Sequence, residues 1–164
     1  MKKLFSVLAV LFVLGTTSTF ALGIGAQAGY TIGGNPGAAL TLKLDKLPPV
    51  FAVDFNFGSN GFSIGGTADW WIANPNLVGP VNFYYGPGIA ASFSSYGNGD
   101  GSYTALNIGV RLVGGLNLFI ADFFEPYLQL AWQPTFGIAL SGDDSYGGFK
   151  WNSFPVNLGF RFWF

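Results

Sequence analysis

The sequence predicts an all-β chain: a closed, antiparallel, eight-stranded transmembrane β-barrel of up-and-down topology. Three observations carry this. The chain has 164 residues, of which 50% are hydrophobic and only 9% charged, against roughly 25% charged in an ordinary soluble domain. Its composition is heavy in glycine and phenylalanine, 25 and 18 residues, and apolar residues alternate with small or polar ones along almost every segment after residue 21. The last stretch, Phe154 to Phe164, places Phe154, Val156, Leu158, Phe160, Phe162 and Phe164 on one face and Pro155, Asn157, Gly159, Arg161 and Trp163 on the other. An apolar face ending on Phe164 finds its natural solvent in lipid.

The chain opens with Lys2 and Lys3, an apolar run from Leu4 to Leu14, and small residues up to Ala21. This is the plan of a secretory signal peptide over residues 1–21, cleaved after Ala21, with the barrel occupying 22–164. The apolar run is too short for a bilayer core that requires about twenty residues. There is no Cys, so neither a disulfide nor a lipidated N-terminal Cys is available. Of seven Lys and Arg, five remain after the leader against eight acids, a charge near −3, which argues against nucleic-acid binding.

The first strand, Leu22 to Gly33, alternates Leu22, Ile24, Ala26, Ala28, Tyr30 and Ile32 with Gly23, Gly25, Gln27, Gly29 and Thr31, and a Gly-Asn-Pro-Gly turn ends it. The second, Gly37 to Leu44, sets Leu40, Leu42 and Leu44 against Thr41 and Lys43. The third, Val50 to Gly58, sets Phe51, Val53, Phe55 and Phe57 against Ala52, Asp54 and Asn56, before a short Ser59-Asn60-Gly61 hairpin. The fourth, Phe62 to Ala73, opposes Ile64, Trp70 and Ile72 to Ser63, Thr67, Asp69 and Trp71.

The fifth, Val81 to Phe93, carries Pro87, which removes a ladder hydrogen bond and predicts a bulge. The sixth runs from Tyr103 to Leu118 with Asn107, Arg111 and Asn117 on its polar phase. The seventh, Phe124 to Leu140, has Glu125, Tyr127, Gln129 and Gln133 on that phase, with irregularity expected at Pro126 and Pro134. The eighth begins near Lys150. Every strand thus has one apolar face and one of Gly, amides, Thr and single charges, a face suited to a narrow lumen rather than to water.

With an even strand count both termini are expected on the periplasmic side. The stretches Ser94 to Ser102 and Ser141 to Gly148 read as flexible, solvated outer loops that display Tyr96 and Tyr146. Aromatics near strand ends, Tyr30, Trp70, Phe83, Phe124, Phe162 and Phe164, suit interfacial girdles.

The alternating C-terminal strand finishing on Phe160, Phe162 and Phe164 resembles the signature last strand of bacterial outer-membrane barrels, and the whole of 22–164 resembles their small eight-stranded class, which holds the OmpA transmembrane domain, OmpX and OmpW-like proteins. Tyr84 to Gly88, reading Y-Y-G-P-G, and the hairpin between the sixth and seventh strands resemble a spirochaetal outer-membrane family. The resemblance implies a multi-pass protein of the bacterial outer membrane, porin-like in architecture. Its implied partners are outer-membrane lipid and the barrel-assembly machinery, the latter through Phe160, Phe162 and Phe164. It implies no residue-level functional motif and names no extracellular partner.

Catalysis is not expected. Enzymes built on small outer-membrane barrels resemble one another in using His, and this chain has none; a Ser nucleophile would need Lys43, with no Ser placeable beside it. No cofactor is expected, and no metal site: Asp143-Asp144 reads most simply as solvated loop, and the Gly23-Gly25 and Gly97-Gly99 pairs lack the helix a phosphate loop requires.

The informative set is a lumen charge network of three cations, Lys43, Arg111 and Arg161, and three acids, Asp54, Asp69 and Glu125. Counting through the turns places Lys43, Asp54 and Asp69 together in the periplasmic half and Glu125 beside Arg161. Such pairs inside a narrow lumen must satisfy one another. The expected function is a plugged structural or surface-interaction barrel. The alternatives are a narrow channel for small solutes, or a soluble lipocalin-like binder with its apolar faces turned inward.

Overall fold

The computed structural model describes residues 21–32, 34–58, 61–98, 101–141 and 148–164. The leader before Ala21, the Asp143-Asp144 pair and Tyr146 lie outside the described residues. The strands are β1 (Leu22–Thr31), β2 (Pro36–Leu44), β3 (Pro49–Gly58), β4 (Gly61–Trp70), β5 (Asn76–Val78), β6 (Val81–Asn98), β7 (Gly101–Leu118), β8 (Phe124–Trp132), β9 (Thr135–Ser141), β10 (Gly148–Lys150) and β11 (Pro155–Trp163). β8 with β9, and β10 with β11, each make one wall, and β5 is a short addition against β6, so the barrel has eight walls.

All pairings are antiparallel, and the ladder runs unbroken from β11 through β1, β2, β3, β4, β6 and β7 back to β8. Closure removes every long edge, the standing liability of an open sheet. Following partners from Gly25 through Thr41, Ala52, Thr67, Ala90 and Gly109 arrives at Thr135, whereas going the other way through Arg161 arrives at Glu125, and this stagger of about ten residues tilts the strands by roughly 40°.

Side chains obey the pleat. On β8, Glu125, Tyr127, Gln129 and Ala131 are buried while Leu128 and Leu130 are exposed. The outward set continues around the wall as Leu40, Val53, Phe55, Ile64, Ile89, Ile108, Val110, Leu158 and Phe160. This belt of exposed aliphatic and aromatic side chains is far larger than a water-soluble surface tolerates and matches a hydrocarbon surround. It overturns the lipocalin-like alternative, whose apolar faces would line the interior.

Five local features refine the sequence reading. Pro87 is answered by a bulge on its neighbour: Asp69 pairs with Gly88, but the next bridge joins Ala73 to Tyr85, which leaves one extra residue on the β4 side. Tyr85 exchanges hydrogen bonds with Ile72 and Ala73, so the nitrogen of Pro87, two residues on, points to the same wall, and the ladder slips where the donor is missing. Opposite, the β6–β7 register passes Pro87 without a shift.

Pro134 separates β8 from β9 without changing their common register against β7. Pro126 keeps its partner Phe160 on β11 and lies one residue beyond the last β7 partner, Tyr127, so it produces no shift. The eighth wall is also interrupted, over residues 151–154, where Gln133 donates to the carbonyl of Ser153 and Trp132 to that of Trp151.

The fifth feature is a correction. The stretch around Tyr96, read as a flexible loop, continues the strands: β6 and β7 each span 18 residues, pair one to one as far as Asn98 and Gly101, and stack Tyr96 on Tyr103 with centroids 5.3 Å apart.

Leu22 and Phe164 exchange backbone hydrogen bonds of 3.1 and 3.0 Å, so the two ends of the described chain meet on one rim, here the terminal rim. Trp70, Phe83, Phe124 and Phe162 gather near it, with Phe124 and Phe162 at 5.1 Å, while Tyr30 marks the opposite rim.

Candidate functional site

Among the described residues, the lumen is where this fold collects its polar side chains, because the pleat sends each polar phase inward. Glycine makes the space. Tyr84 lies across Gly115, Tyr127 across Gly159 and Trp163 across Gly23, each the directly opposed residue on a neighbouring strand or one that the ring reaches over. A Cβ at Gly115 or Gly159 would stand 2.5 Å from the phenol ring, so large side chains fit where the opposite wall is bare.

Near the terminal rim, Arg161 and Glu125 are register partners on β11 and β8. Nε of Arg161 donates to Glu125 at 2.9 Å and Nη2 at 3.3 Å. Asn117 donates to the same carboxylate at 2.7 Å and the Trp163 indole at 2.9 Å. Both charges have essentially no exposure, 0% for each residue. Several donors on one carboxylate are what makes such a pair tolerable away from water.

Rings cap this pair. Trp71 and Tyr84 stack with centroids 3.7 Å apart and planes at 12°. The Arg161 guanidinium lies 4.3 Å from the Tyr127 ring and 4.9 Å from Trp71, and the Lys43 ammonium lies 3.9 Å from Trp71 and 5.6 Å from Trp163. These cation–ring contacts occupy Lys43, which is therefore not joined to an acid by an ion pair among the described residues.

A second pair spans the bore. Arg111 on β7 meets Asp69 on β4 at 2.8 and 3.3 Å and also donates to Gln133, while Gln129 donates to Asp69 at 3.4 Å. Tyr84 donates to Gln129 at 3.2 Å and Tyr127 to Gln27 at 2.9 Å. The whole connects β1, β4, β6, β7, β8 and β11 across the interior.

Asp54 does not join the Lys43 and Asp69 level. Lys43, Val50 and Asp69 share one rung, whereas Asp54 shares the rung of Ala39 and Gly65, four residues further toward the opposite rim. The reason is direction: β3 runs away from the terminal rim, so each later residue rises. There it lines a chamber of about 90 Å³ with Gln27, Asn56, Ser92, Asn157 and the flank of Arg111. Trp71, Tyr84, Asn117, Gln129, Gln133 and Trp163 complete the lumen site beyond the charged residues; their signal in the sequence is only their place on the polar phase.

The arrangement fills the bore, with Asp69 and Glu125 each held by an arginine. Phe160, Phe162 and Phe164 stand on the outer face, exposed.

No family model matches the chain, and no curated protein matches it. Solved structures do. The N-terminal β-barrel domain of Pseudomonas aeruginosa OprF is similar over 88% of this chain and 97% of its own, at 16% identity and a TM-score of 0.59. A major outer membrane protein from Thermus thermophilus is similar over 90% of this chain and 100% of its own, at 13% identity and a TM-score of 0.51. Neisserial surface protein A matches over 90% and 98%, at 17% identity and a TM-score of 0.49. The first two share the fold of small outer-membrane barrels with this chain.

Proposed function

We propose that the protein is an integral outer-membrane barrel with a plugged lumen, acting as a structural or surface-interaction element rather than as a pore. The observation that carries this is the full burial of Arg161, Glu125, Tyr84 and Asn117 inside the bore. Four large side chains from four walls, hydrogen-bonded or packed together, leave no continuous aqueous path through the terminal half. An open channel would need these groups to separate, at the cost of uncovering a dry ion pair.

In this reading the terminal rim faces the periplasm and the β3–β4 and β6–β7 hairpins face outward, in keeping with an even wall count. Phe160, Phe162 and Phe164 serve as the handle for the assembly machinery. No catalysis forms part of the proposal: the chain has no His, and Asp69 and Glu125 are committed to arginines.

Recording from the purified barrel in planar bilayers tests it. The expected trace is a silent bilayer; steady, discrete conductance steps would replace this reading with a narrow channel for small solutes.

A further inference from the structure

Of the three lumen acids, Asp69 and Glu125 are spoken for. Asp54 has neither an ion pair nor a side-chain hydrogen bond among the described residues. The lumen cation closest to its chamber, Arg111, already gives its donors to Asp69 and Gln133, and Lys43 lies on the far side, against Trp71. Arg111, whose flank also lines the chamber, is paired with Asp69, so Asp54 has no ion-pair partner of its own, and within protein walls a further cation is attracted to it more strongly than in open water.

Around that carboxylate the fold gathers neutral oxygens. Asn157, Gly29, Gly37 and Asn56 occupy one rung across β11, β1, β2 and β3. Both asparagines lean over the glycine pair between them: a Cβ on Gly29 would collide with Oδ1 of Asn157, and one on Gly37 with Oδ1 of Asn56. Only a bare Gly29–Gly37 step lets the two amides converge from walls three strands apart. Asp54 stands two residues below Asn56 on the same face, with Gln27 and Ser92 completing the lining. The chamber, about 90 Å³, has room for an ion and several waters, each of which needs about 10 to 15 Å³ by this measure.

We propose that this chamber is a cation site, with the Asp54 carboxylate as its charged ligand and Asn56 and Asn157 as amide-oxygen ligands, suited to a hard ion of calcium size. A carboxylate with amide and hydroxyl oxygens and retained water is the ligand set calcium accepts, at flexible geometry and with six to eight oxygens. Magnesium, which demands a tighter octahedron, fits this wide, sparsely charged chamber less well. The ion enters from the rim opposite the termini, since the terminal half is filled. The proposal stands whether or not the barrel conducts, because it concerns the other half of the bore.

The test is calorimetric titration of the folded barrel in detergent with calcium chloride alone, repeated with magnesium chloride, on wild type, Asp54→Asn and Asn157→Ala. The expected result is one saturable calcium site per chain, at least tenfold weaker for magnesium, weakened tenfold or more by Asp54→Asn and less by Asn157→Ala. Absence of saturable calcium binding to wild type overturns the proposal without reference to any variant. Undiminished binding to both variants also overturns it, and assigns the site to other acids of the chain.

Discussion

Tyr127 lies across Gly159, its cross-strand partner, with the ring carbon Cζ and the phenol oxygen each 2.5 Å from where a Cβ would stand. The same ring supports the Arg161 guanidinium at 4.3 Å and reaches Gln27 on the far side of β11 through its hydroxyl. One missing methyl on β11 therefore sets the position of the ring against which the buried arginine rests. Replacing Gly159 by Ala forces Tyr127 out of place and is expected to cost about 1 to 3 kcal/mol. Urea unfolding in detergent, followed by fluorescence, measures it; a change within about 0.5 kcal/mol would mean the ring yields freely.

Arg161→Met leaves Glu125 buried with only Asn117 and Trp163 as donors. Both partners are almost wholly sequestered, 1% and 0% by side chain, so the loss is expected at about 3 to 5 kcal/mol. The double change Arg161→Met with Glu125→Gln removes both charges and recovers much of it. Simple additivity of the two single changes in the same unfolding assay would show that the charges are not coupled.

Adjacent tryptophans report opposite faces. Trp70 is exposed on the outer wall and Trp71 is buried at 7% in the lumen. Quenchers carried on lipid acyl chains should dim Trp70 and spare Trp71, so Trp70→Phe lowers the quenchable fraction and Trp71→Phe raises it. The reverse order would invert the pleat of β4.

The β6–β7 ladder continues outward as far as Asn98 and Gly101. Backbone amides from Ser94 to Tyr96 and at Thr104 should exchange slowly in the folded barrel, in the manner of core strands. Exchange on the timescale of an unstructured peptide would restore the loop reading.

Deleting Phe164 removes two backbone hydrogen bonds to Leu22 and one outward ring. Refolding into detergent should become slower and the folded fraction smaller at a given temperature, read as gel mobility without boiling. Unchanged refolding would confine any role of Phe164 to recognition in the cell.

How far the sequence reveals this structure depends on what a residue's partner is. The face of each strand was legible, because alternation has period two and needs no knowledge of neighbours. Glu125 and Arg161 sit on adjacent walls, so their meeting follows from counting through a hairpin. Asp69 and Arg111 do not: β6 lies between their strands, and which lumen groups meet across a bore depends on tilt and stagger that no single strand encodes. The segment Ser94 to Ser102 misleads for a related reason. Its Gly, Ser, Asn and Asp content is that of a turn, yet one-to-one pairing as far as Asn98 and Gly101 and the Tyr96–Tyr103 stack hold its described residues extended, and pairing is a property of two strands at once. Asp54 was misplaced by height alone, its face being right.

The β1–β11 ladder has a kinetic meaning as well. Its rungs, such as Ile24 with Phe162, join residues separated by nearly the whole barrel, the costliest kind of contact to form by chance encounter. Until that seam zips, the unpaired sides of β1 and β11 are sticky templates for any other extended chain. Half a barrel has no buried lumen and no closed wall, so it offers no resting place on the way. Formation is thus expected to be abrupt and late, with the waiting chain in need of a chaperoned passage to the membrane, and its success decided at the seam rather than in any one hairpin.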